Sequence, residues 1–220
     1  AGSGIARPKP AVLQSLVVLA LEVLRRVVRG GELTIIFVPS LGDVGFVLER
    51  LQPLRQPGAV PGASRVRLLA LERLWPEDER VRELRASEPD TAVVALALPE
   101  LAGAPPTLPA VRVVLDFGLR QTLSYDAAHG SCRPTTAWAS RAACAQRAGR
   151  AGRVCPGLCI RLFPRSLHDL VMPAHDAPAA LSMPLELLHL ELRQLAQSLE
   201  ATRGKKYSVT DLLKMLPVAP

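Results

Sequence analysis

Residues 31–51 read GELTIIFVPSLGDVGFVLERL, a stretch that joins an apolar run directly to an amphipathic one. Residues 33–38 are rich in Ile, Val and Leu without regular polar alternation, which is typical of a strand buried on both faces. After Pro39, apolar side chains recur at helical spacing through residues 40–54. The stretch therefore predicts a strand of a parallel sheet, followed by a helix that packs on that sheet.

Three further apolar runs of the same kind follow, at residues 66–71, 92–98 and 111–115. A helical pattern at residues 76–86 begins with Pro76 and three acidic residues, a composition that suits the positive end of a helix dipole. Alternating strands and helices of this length predict right-handed crossovers, with helices on both faces of the sheet. We therefore expect an α/β fold with a mainly parallel sheet and flanking helices.

The remaining segments predict a helical N-terminal region, a hairpin after the fourth strand, and a helical C-terminal region. The predicted elements are an amphipathic helix at 11–21, a β-hairpin at 120–138, a short helix capped by Ser140 that ends at Arg147, a strand at 159–163 and a helix at 184–202. We expect residues 1–10 to be a tail, 11–200 one domain, and 201–220 a linker with the truncated start of a following region.

Composition excludes several classes of protein. Of the 220 residues, 49% are hydrophobic and 21% charged, as in globular proteins, and no apolar run reaches the roughly 18 residues of a membrane span. The net charge is +7, and residues 127–168 hold seven arginines and no acid. This concentration of positive charge favours a surface that faces phosphates.

The four cysteines, Cys132, Cys144, Cys155 and Cys159, lack the close pairs of a zinc site, and the four histidines are scattered. We expect free thiols in a reducing compartment, the cytoplasm or the nucleus. Neither metal ligands nor a Ser-His-Asp or Cys-His constellation is predicted.

The string most informative about chemistry is QRAGRAGR, residues 146–153. Glycines at a three-residue interval allow close backbone packing, and arginines at that interval lie on one side of a helical turn. Three guanidinium groups that converge in this way suit one polyphosphate. A solvated basic turn would account for any one arginine, but not for the whole string.

This string resembles the sixth conserved motif of superfamily-2 helicases, and its surroundings resemble the DEAH/RHA group of RNA helicases. The similar segments are VVLDFGLRQTLSYDAAHGS at 113–131, TTAWASRAACAQRAGRAGRVCPGLCIRLFPRS at 135–166, GGELTIIFVPSLGDVGFVLERL at 30–51 (motif IV), LLALERLWPEDERVREL at 68–84 (motif IVa) and PLELLHLELRQLA at 184–196. The resemblance implies a RecA-like domain of the P-loop NTPase type, with a β-hairpin insertion.

In this family two RecA-like domains enclose ATP, and the first carries the phosphate-binding loop and the Mg²⁺-binding acidic box. Neither element is present in this sequence. The resemblance therefore implies the second RecA-like domain, which needs the first domain of the same protein as its partner, binds RNA together with protein cofactors, and is inactive towards ATP alone.

The resemblance also implies roles for individual residues. Gln146 would bind the γ-phosphate and the attacking water, and Arg150 and Arg153 would be arginine fingers. The other residues expected at the nucleotide are Arg147, Gly149, Asp116 near the ribose, and Leu84, which stands where many relatives stack a Phe on the base. For Asp116, capping of a loop at the end of a strand is an equal alternative.

RNA is expected at the carboxyl ends of the strands, where an open α/β sheet presents its crevice. The predicted RNA contacts are Ser40, Gly42, Arg120 and Arg133. The chain departs from the family in motif V, where ALALPELAGAPPT (95–107) places Pro99 and Glu100 at the expected Thr-Asn. Proline offers no N–H and glutamate adds negative charge, so a degenerate scaffold that binds RNA or protein without ATP turnover is the alternative function.

Overall fold

The computed structural model describes residues 8–9, 11–71, 84, 88–102, 110–126, 131–177 and 185–215. They fall into two compact units: the first comprises Ala1–Gln121 with Thr136–Asp176, and the second Thr122–Thr135 with Ala177–Pro220. The expected boundaries at residues 10 and 200 stay predictions.

A five-stranded parallel sheet forms the centre of the first unit. In chain order its strands are β1 (Leu33–Phe37), β2 (Arg65–Leu71), β3 (Thr91–Ala97), β4 (Val111–Asp116) and β7 (Leu158–Arg161), and their spatial order is β2-β3-β1-β4-β7. Every described pairing between them is parallel. β1 and β3 are buried along their whole length, which explains the absence of polar alternation in the sequence. The predicted parallel sheet is confirmed.

Helices α1 (Ala11–Val27) and α2 (Leu41–Leu51) cover one face of this sheet. Val17, Ala20 and Leu24 of α1 share a core with apolar side chains of α2 and of the strands. The opposite face holds a second core, which includes Phe37, Leu84 and Val114, and Ala151 packs against it. Residues 76–86 lie outside the described residues, except for Leu84.

The observed helices differ from the predicted ones mainly at their ends. α1 continues to Val27, and α2 ends at Leu51 rather than at residue 54. The reason for the early end is Pro53, which lacks an N–H for the helical ladder, and a 3₁₀ turn at Gln52–Arg55 follows instead.

The hairpin strands β5 (Leu119–Asp126) and β6 (Ser131–Trp138) pair in a two-stranded sheet, as predicted. The turn between β4 and β5 contains Gly118 at φ +67°. A Cβ at this position would lie 2.5 Å from Cε1 of Phe163. The turn therefore requires glycine on steric grounds as well as for its backbone conformation.

Two short helices of the first unit follow the hairpin: α3 (Arg141–Ala148) and α4 (Arg165–Leu170). Ser140 caps α3 as predicted, since its Oγ accepts a hydrogen bond of 3.0 Å from the Ala143 N–H. β7 begins one residue earlier and ends two residues earlier than predicted. The Leu162 N–H still donates to the Asp116 carbonyl at 2.9 Å, so one bond of the ladder continues past the strand.

The second unit contains helices α5 (Leu185–Arg203) and α6 (Val209–Met215), with Gly204 at the end of α5. Each of these helices buries one leucine, Leu192 and Leu212 respectively. The first of them was expected at residues 184–202, whereas the sequence predicted only a linker and the start of a following region for residues 201–220. None of the helices in the described ranges has the length and apolar character needed to span a bilayer.

We expect Leu24→Ala to lower the free energy of unfolding by about 2–5 kcal/mol, because the side chain is completely buried between α1 and the sheet. The matched control is Leu19→Ala on the same helix, whose side chain is 48% exposed. Urea unfolding followed by circular dichroism measures both changes. Equal losses in the two variants would contradict this packing of α1.

Candidate functional site

The arginine-rich segment begins on α3 with Arg147, whose side chain points into the protein. Only 1% of this side chain is exposed, and its Nη1 lies 2.6 Å from Oδ1 of Asp116, which is itself fully buried. Nη2 donates to the Leu119 carbonyl at 3.1 Å. The guanidinium carbon also lies 5.6 Å from the ring centroid of Phe37, within the range of a cation–π interaction. Arg147 therefore joins α3 to β1, β4 and β5.

Asp116 lies at the carboxyl end of β4 and accepts two hydrogen bonds through one oxygen. Besides Arg147, the Gly118 N–H donates to Oδ1 at 2.8 Å. This contact is the loop-capping arrangement that the sequence left open beside a role near the ribose. Since both Asp116 and Arg147 are buried and paired, the expectation that Arg147 converges on a phosphate with the next two arginines is wrong.

The physical reason is that α3 ends at Ala148, so the three arginines do not share one helical face. Beyond Gly149 the chain turns, and Gly152 adopts φ +78°. A Cβ on Gly157 would lie 2.2 Å from the Gly152 nitrogen, so the two glycines let the segment fold back on itself closely.

Arg150 and Arg153 lie in this turn. The Arg150 side chain has 5% of its surface exposed, whereas Arg153 is exposed and its Nε donates to the Gly149 carbonyl at 2.7 Å. Burial, and then the positive charge of Arg153, lower the pKa of the Arg150 guanidinium. Arg153 therefore contributes a like charge to the surroundings of Arg150.

Gln146 precedes Arg147 on α3 and has an exposed side chain. Successive residues of a helix point about 100° apart, so the inward direction of Arg147 leaves Gln146 on a different side. The structure thus brings Arg150 and Arg153 together in one turn and presents Gln146 to solvent from the preceding helix. Leu84 packs in the core instead, with 2% of its surface exposed.

A cysteine that sequence reasoning did not connect to this segment lies beside the buried pair. Burial, followed by the negative charge of Asp116, raises the pKa of the Cys144 thiol to about 12. The thiol is therefore protonated at neutral pH, and it stands three residues before Arg147 on the inner side of α3. Cys144, Cys155 and Cys159 are all free thiols.

The predicted RNA contacts of the first unit lie near the carboxyl end of β1. The Gln121 N–H donates to the Pro39 carbonyl at 3.2 Å, which brings Ser40 and Arg120 to the same edge of the sheet. The Ser40 Oγ donates to Oδ2 of Asp43 at 2.6 Å. A Cβ on Gly42 would meet only Ser40 Oγ, at 3.7 Å, so the start of α2 has room for a close approach.

Arg120 is ion-paired with Asp176, whose Oδ1 lies 2.5 Å from Arg120 Nη1. The same carboxylate oxygen accepts the Ser140 N–H at 3.2 Å. Asp176 was missed from the sequence, because it is more than 50 residues away from Arg120. Arg133 belongs to the second unit, where its side chain is exposed on β6.

No group of three or more His, Cys, Asp or Glu side chains within the described ranges is arranged to hold a metal ion. Residues 127–168 contain seven arginines and no acid. The chemistry that this segment offers at the edge of the parallel sheet is therefore that of guanidinium cations.

We expect Arg147→Met to lower the free energy of unfolding by about 3–5 kcal/mol, because it leaves the buried Asp116 carboxylate without its cation. The control is Arg165→Met on α4, which removes an arginine whose side chain is 94% exposed and pairs with Asp169 on the surface. That control should unfold like the wild type in the same urea titration. A wild-type stability of Arg147→Met would show that the pair contributes little.

Comparisons with known proteins support the resemblance seen in the sequence, although no family model matches the chain. Over 81% of the present chain, the sequence is 30% identical to the ATP-dependent RNA helicase TDRD9 of Mus musculus. Over 76% of the present chain, it is 28% identical to the DExH-box ATP-dependent RNA helicase DExH1 of Arabidopsis thaliana. The matched regions are 13% and 16% of those proteins. The chain thus spans about an eighth to a sixth of the length of these relatives.

Two solved structures of the E. coli DEAH/RHA helicase HrpB have the same fold. Their TM-scores are 0.65 and 0.66 at 23% identity, and they cover 94% and 86% of this chain, which corresponds to about a quarter of HrpB. At this identity the likeness shows the fold alone, and it identifies the parallel sheet with its flanking helices as RecA-like. Over about three quarters of its length, the chain is a homologue of the DEAH-box and DExH ATP-dependent RNA helicases.

Proposed function

We propose that this chain is the second RecA-like domain of an ATP-dependent DEAH-box RNA helicase, in which Arg150 and Arg153 are the arginine fingers. The observation that carries the proposal is the turn at residues 149–153, which holds Arg150 and Arg153 in one short segment, with Arg153 Nε bonded to the Gly149 carbonyl. Phosphoryl transfer depends mainly on positioning and on electrostatic stabilisation of the charge on the transferred group. A polyphosphate would bring negative charge to this turn, whose residues 149–153 include no acid of their own.

In this proposal the first RecA-like domain binds ATP through its phosphate-binding loop, and its acidic box holds Mg²⁺. The residues of this chain would approach the triphosphate from the other side of the cleft. Arg150 and Arg153 stabilise the developing charge, and Gln146 orients the attacking water from its exposed position on α3. Gly149 supplies the carbonyl that holds Arg153 in the turn.

The same proposal assigns RNA phosphates to the edge of the sheet near the end of β1. The first turn of α2 offers backbone N–H groups, and Gly42 leaves room for a phosphate to approach them. Such contacts hold a strand without reading its sequence. The charge of Arg120 at this edge is already balanced by Asp176. In the second unit, Arg133 is an exposed cation that offers a phosphate contact of its own.

A scaffold without ATP turnover is the second candidate, and one observation favours it. β3 is followed by a 3₁₀ turn at Pro99–Ala102, where the family pattern has Thr-Asn. Pro99 cannot donate a hydrogen bond there, and Glu100 opposes a phosphate. ATP hydrolysis by the full-length protein, with and without RNA, decides between the two candidates.

We expect Arg150→Ala and Arg153→Ala each to lower RNA-stimulated ATP turnover of the full-length protein by about 10³-fold, as in other NTPases that depend on an arginine finger. Arg165→Ala, which removes an exposed arginine of α4, is the matched control and should retain wild-type turnover. Circular dichroism checks that each variant is folded. Wild-type turnover in both finger variants would remove the assignment.

We further expect RNA binding to weaken steeply with salt, and Arg133→Ala to reduce the slope of log affinity against log salt concentration by about 0.7, the contribution of one phosphate contact on a single strand. Fluorescence anisotropy with an unstructured RNA measures the slope. Arg165→Ala should leave the slope unchanged, because its charge is paired with Asp169. Salt-independent binding would contradict the phosphate contacts.

A further inference from the structure

We propose that Arg147 is a positioning residue, whose buried ion pair with Asp116 fixes the turn that presents Arg150 and Arg153. This inference rests on the proposed function, because it assigns Arg147 to the same reaction through the two arginines that follow it. It replaces the direct contact with the nucleotide that the sequence suggested for both Arg147 and Asp116.

Arg147 is held by contacts with three strands. Its guanidinium group makes two hydrogen bonds, to Asp116 and to the Leu119 carbonyl, and lies over the ring of Phe37. These three contacts come from three different strands. A planar guanidinium group with several N–H donors can make these three contacts at once. A lysine ammonium at the same place would be a point charge without this arrangement of donors.

Backbone hydrogen bonds connect Arg147 to Arg150 and Arg153. The Arg150 N–H donates to the Arg147 carbonyl at 3.1 Å, and the Gly149 N–H donates to the Ala145 carbonyl at 2.9 Å. The Gly149 carbonyl in turn accepts from Arg153 Nε at 2.7 Å. The backbone around Arg147 therefore holds the main chain of Arg150 and, through Gly149, the side chain of Arg153.

The competing explanation is that the ion pair only stabilises the fold. Stability and positioning can be separated, because replacing both members of a buried ion pair by uncharged side chains avoids the large cost of leaving one buried charge unpaired. The double substitution Asp116→Asn with Arg147→Met keeps the approximate volumes and leaves no unpaired buried charge. We expect it to remove the ion pair and to preserve the fold.

The first measurement is steady-state ATP hydrolysis by the full-length double variant, saturated with RNA. We expect kcat to fall by about 10²-fold, the effect of a displacement near 1 Å, with little change in KM for ATP. Circular dichroism and thermal melting confirm that the variant is folded. Wild-type kcat in the folded double variant would overturn the proposal.

The second measurement is phenylglyoxal modification of Arg150, followed by peptide mass spectrometry, with the exposed Arg165 as the internal reference. Arg150 should be protected in the wild type, where it is nearly buried, and should lose that protection in the double variant. A fall in kcat without increased labelling of Arg150 would also overturn the proposal, because the turn would then have stayed in place.

Arg147→Lys is the second variant, and it decides the question if the double variant does not fold. It keeps a cation beside Asp116, but it loses the planar guanidinium that also donates to the Leu119 carbonyl and lies over the ring of Phe37. We expect a folded protein with reduced kcat and a labelled Arg150. A wild-type kcat together with wild-type protection of Arg150 from labelling would contradict a positioning role.

The finger variants separate this inference from the function on which it rests. If Arg150→Ala keeps wild-type turnover, the proposed function fails, and the role of Arg147 fails with it. If Arg150→Ala loses turnover while the folded double variant keeps it, the fingers stand and only the positioning role of Arg147 is rejected.

Discussion

The interaction on which the first unit depends is the buried contact between Asp116 and Arg147. Two charges taken out of water cost several kcal/mol each, so they persist only with good geometry and further hydrogen bonds. Here the carboxylate also accepts a backbone N–H, and the guanidinium group also donates to a carbonyl. Asp116 ends β4, Leu119 begins β5 and Arg147 lies on α3. The pair therefore fixes the end of β4, the start of β5 and the position of α3 relative to one another.

This constraint divides the arginines of one short string between different surroundings. Arg147 is inside the protein and compensated, Arg150 is nearly buried beside a like charge, and Arg153 is exposed. The formal charge of residues 127–168 therefore overstates the positive field that this segment presents to solvent, since Arg147 is neutralised inside the protein and Arg165 pairs with Asp169 on the surface. Within residues 146–153, the exposed arginine is Arg153, which follows the end of α3.

Much of the sheet was predictable, because strands buried on both faces have a distinct composition. β1 and β3 lie within one residue of their expected limits, and Ser140 caps α3 as its position suggested. The limits of α2 required knowing whether Pro53 would bend the helix or end it. Such choices depend on tertiary packing that local patterns do not contain.

The candidate site was predictable only in part, for a similar reason. The string at residues 146–153 identified the segment, but equal spacing of its arginines suggested one continuous helical face. The pairing of Arg147 with Asp116, 31 residues earlier in the chain, depends on how β4 and α3 meet. An apolar α3 position such as Cys144, three residues before Arg147, was the available sign that Arg147 faces inward.

The thiol beside this ion pair gives the first unit a chemical property of its own. Burial raises the pKa of Cys144 to about 12, so its thiol stays protonated at neutral pH. Peroxides and electrophilic reagents attack the thiolate, so this cysteine is inert towards both while the protein is folded. Oxidative damage and covalent inhibitors aimed at cysteine would therefore have to act elsewhere on the protein.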